Sequence, residues 1–164
     1  MSSQRTRYPL NTSQQWTWLN YMRVFHRLEY EMNRQLLADV GLSLSDYTVM
    51  NALSQSRGRP QQLTALATTI GWERSRLSHH LQRMAVRGLI DRVRSQTDGR
   101  AIDVVLSDTG WDTLRAAAPL HAAWVRTLFF SDIDSRQEGQ LADILAIIYE
   151  NVLREGALPS PDQI

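Results

Sequence analysis

The sequence has no cysteine, no lysine and no long uninterrupted run of apolar residues. Without cysteine, the chain cannot form disulfide bonds, zinc sites built from thiolates or thiol-based redox switches. No segment approaches the length of about eighteen apolar residues that a membrane-spanning helix requires, and residues 1–11 are polar, unlike a secretion signal. We therefore expect a cytoplasmic protein that does not bind membranes.

The charge of the chain is unevenly distributed. The net charge is only +1, but residues 57–100 carry nine arginines against three acidic residues, whereas residues 101–164 carry four arginines against ten acidic residues. This concentration is expected if one segment contacts phosphate groups while the rest stays solvated. Because several arginines lie outside the basic segment, we attribute the missing lysine to the coding bias of the source genome rather than to recognition.

Apolar periodicity predicts four helices in the first half of the chain, at residues 13–40, 43–56, 63–70 and 73–87. Gly41 and Gly71 stand where the first and third of these helices should end. Ser43 and Asp46 have the spacing of a capping box, which predicts the start of the second helix.

The fourth predicted helix has two chemically different faces. Its cationic and hydrogen-bonding side chains follow helical spacing along one face, and they are Arg76, His79, His80, Arg83 and Arg87. The opposite face is apolar and consists of Leu77, Leu81 and Met84. A small core can hold such a helix while its basic side reaches the major groove of DNA.

Two short runs with β-branched residues follow this helix, at residues 89–94 and 101–106. They are joined through Asp98 and Gly99, a dipeptide that favours tight hairpins because both residues tolerate positive φ. The order of helix, turn, cationic helix and hairpin is that of a winged helix-turn-helix, which binds duplex DNA. The fold class is therefore predicted to be mainly α with a small β-hairpin wing.

Further helices are predicted after the wing. Ser107 has the position of an N-cap, and the helix after it should continue through Leu128 with a kink or break at Pro119. Asp134, with a glutamine three residues later, should start a last helix.

The helices at residues 12–40 and 108–154 are too long and too apolar to be covered by a winged-helix lobe at residues 43–106 alone. We predict that they form the dimerisation region of one domain that spans residues 1–164, with two DNA-binding lobes on the same side of a two-fold dimer. Such a homodimer would bind a pseudo-palindromic operator in double-stranded DNA, with half-sites about 10 bp apart.

Several local sequences resemble the MarR family of multiple-antibiotic-resistance regulators, whose order of helices and wing is matched by nearly the whole chain. Residues 83–90 (Arg-Met-Ala-Val-Arg-Gly-Leu-Ile) are similar to the family's exit from the recognition helix. Residues 98–101 (Asp-Gly-Arg-Ala) are similar to its wing signature. Residues 106–110 (Leu-Ser-Asp-Thr-Gly) resemble the start of its fifth helix, and residues 41–43 (Gly-Leu-Ser) fit the segment before its second helix.

The resemblance implies which residues contact DNA. In the recognition helix they are Ser75, Arg76, Ser78, His79, His80 and Arg83, and in the wing they are Arg94, Asp98, Gly99 and Arg100. Arg76 is our candidate for base contact, because a guanidinium can donate two hydrogen bonds to one guanine. The serines and Arg83 should bind phosphate. Arg100 would enter the minor groove, with Asp98 close enough to hold its orientation. The alternative, a merely solvated basic face, is less consistent with the adjoining turn and wing.

The adjacent histidines His79 and His80 raise the question of a metal site. Neighbouring residues on a helix point about 100° apart, so these two imidazoles cannot readily bind the same ion. The sequence also lacks cysteine and any His-Glu-x-x-His pattern. We therefore predict no metal and no cofactor, and a phosphate or base contact for these side chains.

Five tryptophans are numerous for this length, and most are expected to serve core or dimer packing. The resemblance implies a further use, a pocket for a small phenolic or aromatic effector between the dimerisation region and the DNA-binding lobe. The candidates for its lining are Trp18, Met22, Tyr47 and Trp111.

The leading hypothesis is a sequence-specific, homodimeric DNA-binding transcription regulator, a repressor that a small aromatic ligand releases. The alternative is an architectural or protein-binding winged-helix module without a ligand response, which would lack a steep dependence of binding on salt. The sequence contains no glycine-rich phosphate loop, nucleophile elbow or supported pair of carboxylates, so we predict that the protein is not an enzyme.

Overall fold

The computed structural model describes residues 9–95 and 102–161. Within these residues the elements follow in the order α1 (Thr12–Val40), α2 (Leu44–Gln55), β1 (Gln61–Gln62), α3 (Leu63–Ile70), α4 (Arg74–Val86), β2 (Ile90–Arg94), β3 (Ile102–Leu106), α5 (Asp108–Val125), a π-helix (Arg126–Phe130) and α6 (Ser135–Glu155). The predicted fold class, mainly α with a small wing, is confirmed.

Local side chains set the helix boundaries. Ser43 Oγ accepts a 3.0 Å hydrogen bond from the backbone N–H of Asp46, and the Asp46 carboxylate accepts one of 3.0 Å from the N–H of Ser43. This confirms the predicted capping box of α2. α1 ends at Gly41, whose φ of 66° lies in the left-handed region that glycine adopts without a steric penalty. Ser107 caps α5 as predicted, because its hydroxyl accepts a hydrogen bond from Gly110 N.

The three strands form one antiparallel sheet in the order β1-β3-β2. β2 and β3 are the predicted wing strands, with Ile90 opposite Leu106 and Arg94 opposite Ile102. β1 adds a third strand in which Gln61 pairs with Val104. Two glutamines have neither β-branched side chains nor an apolar alternation, so this strand cannot be recognised in the sequence.

The hydrophobic core lies between α2, α3, α4, the sheet and the first part of α5. Leu77, Leu81 and Met84 of α4 are buried in it, which confirms the predicted apolar face. Their partners on the other elements are Leu42, Val49, Met50, Leu53, Leu66, Ile90, Val104, Leu106 and Leu114. Each fully buried side chain of this size contributes about 1.5 to 3 kcal/mol. The core therefore holds α4 by one side and leaves its other side accessible.

α5 is continuous through Pro119, so the break considered for this position does not occur. Proline lacks the N–H that would bond to the carbonyl of Arg115 four residues earlier. The neighbouring turns are held in place because Leu114 and Ala117 are buried against the lobe. After Val125 the chain widens into the π-helix rather than continuing as α-helix to Leu128.

α1 and α6 bury little apolar surface within the chain. Only Gln35 and Leu36 of α1 are buried, and no residue of α6, which is described in full, is buried. The large apolar side chains left exposed on these two helices include Trp16, Trp18, Leu19, Tyr21, Phe25, Ile144, Ile147, Ile148 and Val152. Among the described residues, no helix combines the length and apolar character needed to cross a membrane.

Candidate nucleic-acid interface

The outward side of α4 carries most of the side chains that the sequence implicates in DNA contact. The exposed or half-buried ones are Ser75, Arg76, Ser78, His79 and Arg83. They point away from the apolar face that the core buries. The arrangement presents donors along one side of a helix whose position is fixed by packing, as a major groove requires.

Arg76 lies over the ring of Trp72, with its Cζ atom 4.0 Å from the ring centroid. This is the distance of a cation–π contact. Trp72 stands four residues before Arg76, in the turn that joins α3 to α4, and it is half-buried against the core. This pair was not predicted from the sequence, because Trp72 precedes α4 and the spacing of neighbours on a helix surface does not apply to it.

His80 lies in the interior, which corrects its placement on the exposed cationic face. It is 7% exposed, and its Nε2 atom lies 3.1 Å from Asp46 Oδ1, while its Nδ1 atom lies 3.0 Å from Arg83 Nη2. The Nε2 contact is close but not well aligned as a hydrogen bond within the described part of the chain. His80 follows the buried Leu77 by three residues and precedes the buried Met84 by four, so helical geometry places it beside the apolar face. His79 is exposed, and the two adjacent imidazoles therefore face different environments.

Arg87 is also turned toward the lobe rather than along the outward face. Its Nη1 atom donates a 2.7 Å hydrogen bond to Asp46 Oδ2, and its Nη2 atom donates one of 3.3 Å to the carbonyl of Gly41. Arg87 is the C-cap residue that follows the last residue of α4. Arg76, His79 and Arg83 remain as the cationic or potentially cationic side chains on the outward face.

Asp46 joins these contacts at the N-terminus of α2. Burial by itself would raise the pKa of the carboxyl group, but the contacts from His80, Arg87 and Ser43 outweigh burial and hold the pKa of Asp46 well below its ordinary value. Asp46 therefore caps α2 and connects it to both ends of the segment from His80 to Arg87. Sequence reasoning identified the first role and missed the second, because the partners lie more than thirty positions away.

The structure describes the two strands of the wing but not the residues that join them. Arg94 is exposed at the end of β2, where the strand pairs with Ile102. The other wing candidates, Asp98, Gly99 and Arg100, lie outside the described residues.

The four candidates for an effector pocket lie in different surroundings. Trp18 is exposed on α1, with its ring 5.5 Å from that of Tyr21, and Met22 is half-buried on the same helix. Trp111 packs at the edge of the core on α5. Two surface cavities among the described residues, one along α1 and one between α1, α2 and Trp72, are lined by none of the four candidates.

Tyr47, the fourth candidate, belongs to a polar and aromatic cluster where α1, α2 and α5 meet. Its ring centroid is 4.7 Å from that of His121, whose other neighbour is Trp124 at 5.8 Å. His121 Nδ1 lies 2.9 Å from Gln35 Oε1, and Gln35 Nε2 donates a 2.8 Å hydrogen bond to Asp39. Burial raises the pKa of Tyr47 and lowers the pKa of His121, so both side chains are held neutral near pH 7.

Comparison with known proteins identifies the fold and the family. The family model described as "Transcriptional regulator SarA/Rot" matches residues 31–116, just over half of the chain. No curated protein sequence matches at a significant level.

Solved structures match over nearly the whole length. AbsC, a MarR family transcriptional regulator from Streptomyces coelicolor, is 31% identical, with 90% of this chain and 98% of AbsC covered and a TM-score of 0.81. Sco3205, a MarR family regulator from the same organism solved in complex with DNA, is 31% identical, with 93% and 99% covered and a TM-score of 0.84. The organohalide-sensing regulator RdhR, in its 2,4-dichlorophenol-bound form, shares the fold at 18% identity, with 100% and 99% covered and a TM-score of 0.77.

These relatives are transcriptional regulators and not enzymes, in agreement with the prediction from the sequence. The matched residues of this chain include α4, which presents its basic side, and the strands that follow it. The chain is therefore a DNA-binding transcriptional regulator of winged-helix type and belongs to the MarR family.

Proposed function

We propose that the protein is a homodimeric repressor that binds a pseudo-palindromic operator and is released from it by a small aromatic or phenolic ligand. The observation that carries the proposal is the division of α4 into a buried apolar side and an accessible basic side. In this proposal residues 43–106 form the DNA-binding lobe, and residues 12–40 and 108–154 form the dimerisation region.

The DNA contacts are divided by chemistry. Arg76 contacts a base, since its guanidinium can donate to both O6 and N7 of a guanine. Ser75, Ser78, His79 and Arg83 bind phosphates and so fix the position of the helix without reading sequence. Of the wing residues, Arg94 contacts DNA, and Arg100 is assigned to the minor groove, together with Asp98 and Gly99. His80 supports α4 from inside the lobe instead of touching DNA.

The exposed apolar surface of α1 and α6 supports the dimer. Trp16, Tyr21, Ile147 and Val152 are each at least half exposed in the single chain. Large apolar side chains exposed in this number are unfavourable in water and are covered when two copies associate. A two-fold axis then brings two α4 helices to one side, where they fit successive turns of a major groove.

Ligand release requires only that the ligand prefer the dimer state that does not bind DNA. The cluster around Tyr47 and His121 lies where the dimerisation helices meet the DNA-binding lobe, so a change there can alter the spacing of the two α4 helices. The further candidates for ligand contact are Trp18, Met22 and Trp111. In the dimer, residues of the second copy would complete the pocket around them. The bound 2,4-dichlorophenol of RdhR is an example of the ligand class in a protein of the same fold.

The test combines association and DNA selection. Sedimentation at micromolar concentration should give a dimer, and replacement of the exposed Ile148 by aspartate should shift it toward monomer. Genomic fragments selected by the wild-type protein should share a palindromic site, and affinity should fall steeply with salt because counterions are released from the DNA. A monomer in solution would exclude the dimer. Binding without sequence preference or with a flat salt dependence would favour the alternative, an architectural or protein-binding module.

A further inference from the structure

Trp72 occupies a defined place beside the basic side of α4. Its backbone N–H donates a 2.9 Å hydrogen bond to the carbonyl of Ala67, directly after the left-handed Gly71. Its indole packs against the core, and the ring of His80 meets it edge-on, with centroids 5.5 Å apart and an interplanar angle of 82°. The position of the indole is thus fixed by the backbone, by the core and by the T-shaped contact with His80.

His80 is itself held in place. The carboxylate of Asp46 lies against its Nε2 atom, and Arg83 lies against its Nδ1 atom. The contacts therefore form a continuous series from the buried Asp46 through His80 to the indole of Trp72, and the accessible face of that indole supports Arg76.

The guanidinium carbon of Arg76 lies over the ring of Trp72 at a distance that permits stacking. Among the described residues the guanidinium takes part in no hydrogen bond or ion pair, so its donors remain available. Stacking on an aromatic ring is compatible with donation in the plane of the guanidinium. A free arginine side chain samples many rotamers and loses that freedom when it is ordered on a ligand, whereas a stacked one has lost much of it beforehand.

We propose that Trp72 is a positioning residue that determines sequence specificity, because it orients Arg76 for contact with a base before DNA arrives. The inference rests on the proposed function, in which Arg76 reads a base. Trp72 therefore affects the preference for the operator over other DNA, but it does not affect the general attraction of the protein to phosphates.

A double-mutant cycle tests the inference. Wild type, Trp72→Leu, Arg76→Ala and the double variant are titrated with the selected operator, with an operator changed at single base pairs and with unrelated duplex DNA, each across a range of salt. We expect Trp72→Leu to weaken operator binding by about three- to tenfold, the range of a partly exposed cation–π contact. Affinity for unrelated DNA and the salt slope should be unchanged. In the Arg76→Ala background the same replacement should have little further effect.

Trp72→Phe is the matched variant that keeps an aromatic face, and it should recover most of the operator preference. It also serves in the cycle if Trp72→Leu does not fold, as judged by circular dichroism and thermal unfolding. In that case we expect Trp72→Phe to weaken operator binding by only about twofold, because phenylalanine forms a weaker cation–π contact than tryptophan. This loss should again occur only when Arg76 is present.

Two outcomes would overturn the inference while leaving the proposed function intact. Replacement of Trp72 could weaken operator and unrelated DNA equally, or it could weaken binding by the same factor with and without Arg76. If Arg76→Ala left operator preference unchanged, the base contact assigned to Arg76 in the proposed function would fail and the inference with it. If the wild-type protein itself showed no preference for any sequence, the proposed function would fail and the inference with it.

Discussion

The guanidinium of Arg87 donates a 2.7 Å hydrogen bond to the carboxylate of Asp46, which lies 41 residues earlier in the chain. His80 approaches the other oxygen of the same carboxylate at 3.1 Å. The N-terminus of α2 is thereby joined to the second half of α4 and to the residue after it. The orientation of this helix depends on a polar contact as well as on its buried leucines.

Asp46→Ala should destabilise the folded chain by about 1 to 3 kcal/mol, because it removes the buried carboxylate that accepts hydrogen bonds from Arg87 and from the N–H of Ser43 at the start of α2. Urea unfolding followed by circular dichroism would measure the loss. Because the folded-state pKa of Asp46 is lowered, its contribution is complete above its ordinary pKa of 3.8 and disappears as the pH falls further. Asp112, which pairs with Arg115 on the surface, provides the control, and Asp112→Ala should cost no more than about 1 kcal/mol. Similar losses for both variants would contradict this role of Asp46.

Gly110→Ala should destabilise the chain by about 1 to 3 kcal/mol. A Cβ atom at Gly110 would overlap the carbonyl oxygen of Leu89, and it would also lie 3.3 Å from Leu106 Cδ2, so the start of α5 would have to move away from the sheet. Gly139 on α6 is the matched control, because a Cβ atom there meets nothing within 4 Å. Gly139→Ala should stabilise the helix by about 0.5 to 1 kcal/mol. Thermal unfolding would compare the stabilities of the two variants. If Gly110→Ala were as stable as wild type, the close packing of Gly110 against Leu89 would be excluded.

His121→Gln should reduce the sensitivity of the fold to mild acid. Burial lowers the pKa of His121 below its ordinary value of 6.5, so the unfolded chain binds a proton more readily than the folded one as the pH falls through this region. Stability of the wild type should therefore be complete above about pH 7 and decrease at lower pH. Urea unfolding at several pH values between neutrality and mild acid should give a flatter profile for the variant, which can still contact Gln35. If the stability of wild type and variant changed with pH in the same way, His121 would not be the cause of the acid sensitivity.

Arg76→Ala should cost about 1 to 3 kcal/mol of affinity for the operator and relax the preference at one base pair. Arg83→Ala should weaken binding to all sequences alike and reduce the salt slope by about 1, as expected for a phosphate contact. Arg115, an exposed arginine of α5 beside Trp111, is the control, and Arg115→Ala should leave DNA binding unchanged. Fluorescence anisotropy with labelled duplexes would separate these effects. If Arg76→Ala weakened binding to all DNA sequences equally, Arg76 would contact the DNA backbone and not a base.

The sequence by itself determined the approximate positions of the helices, the capping box of α2, the N-cap of α5 and the buried apolar side of α4. These features depend on interactions between residues a few positions apart, such as Ser43 with Asp46, or on a backbone preference such as that of Gly41, so they can be read without knowing the fold. The concentration of arginine between residues 57 and 100 could likewise be seen directly, and with the resemblance it was sufficient to predict DNA binding.

Only the tertiary structure decided which polar side chains of α4 remain available. His80 and Arg87 share helical spacing with Arg76, but folding brings the carboxylate of Asp46 against both of them. A buried carboxylate without a partner such as the Arg87 guanidinium would be strongly unfavourable. The platform that Trp72 forms under Arg76 depends in the same way on where the core places the indole. Periodicity specifies the direction of a side chain from its own helix, whereas its partner is supplied by distant segments that meet only when the chain has folded.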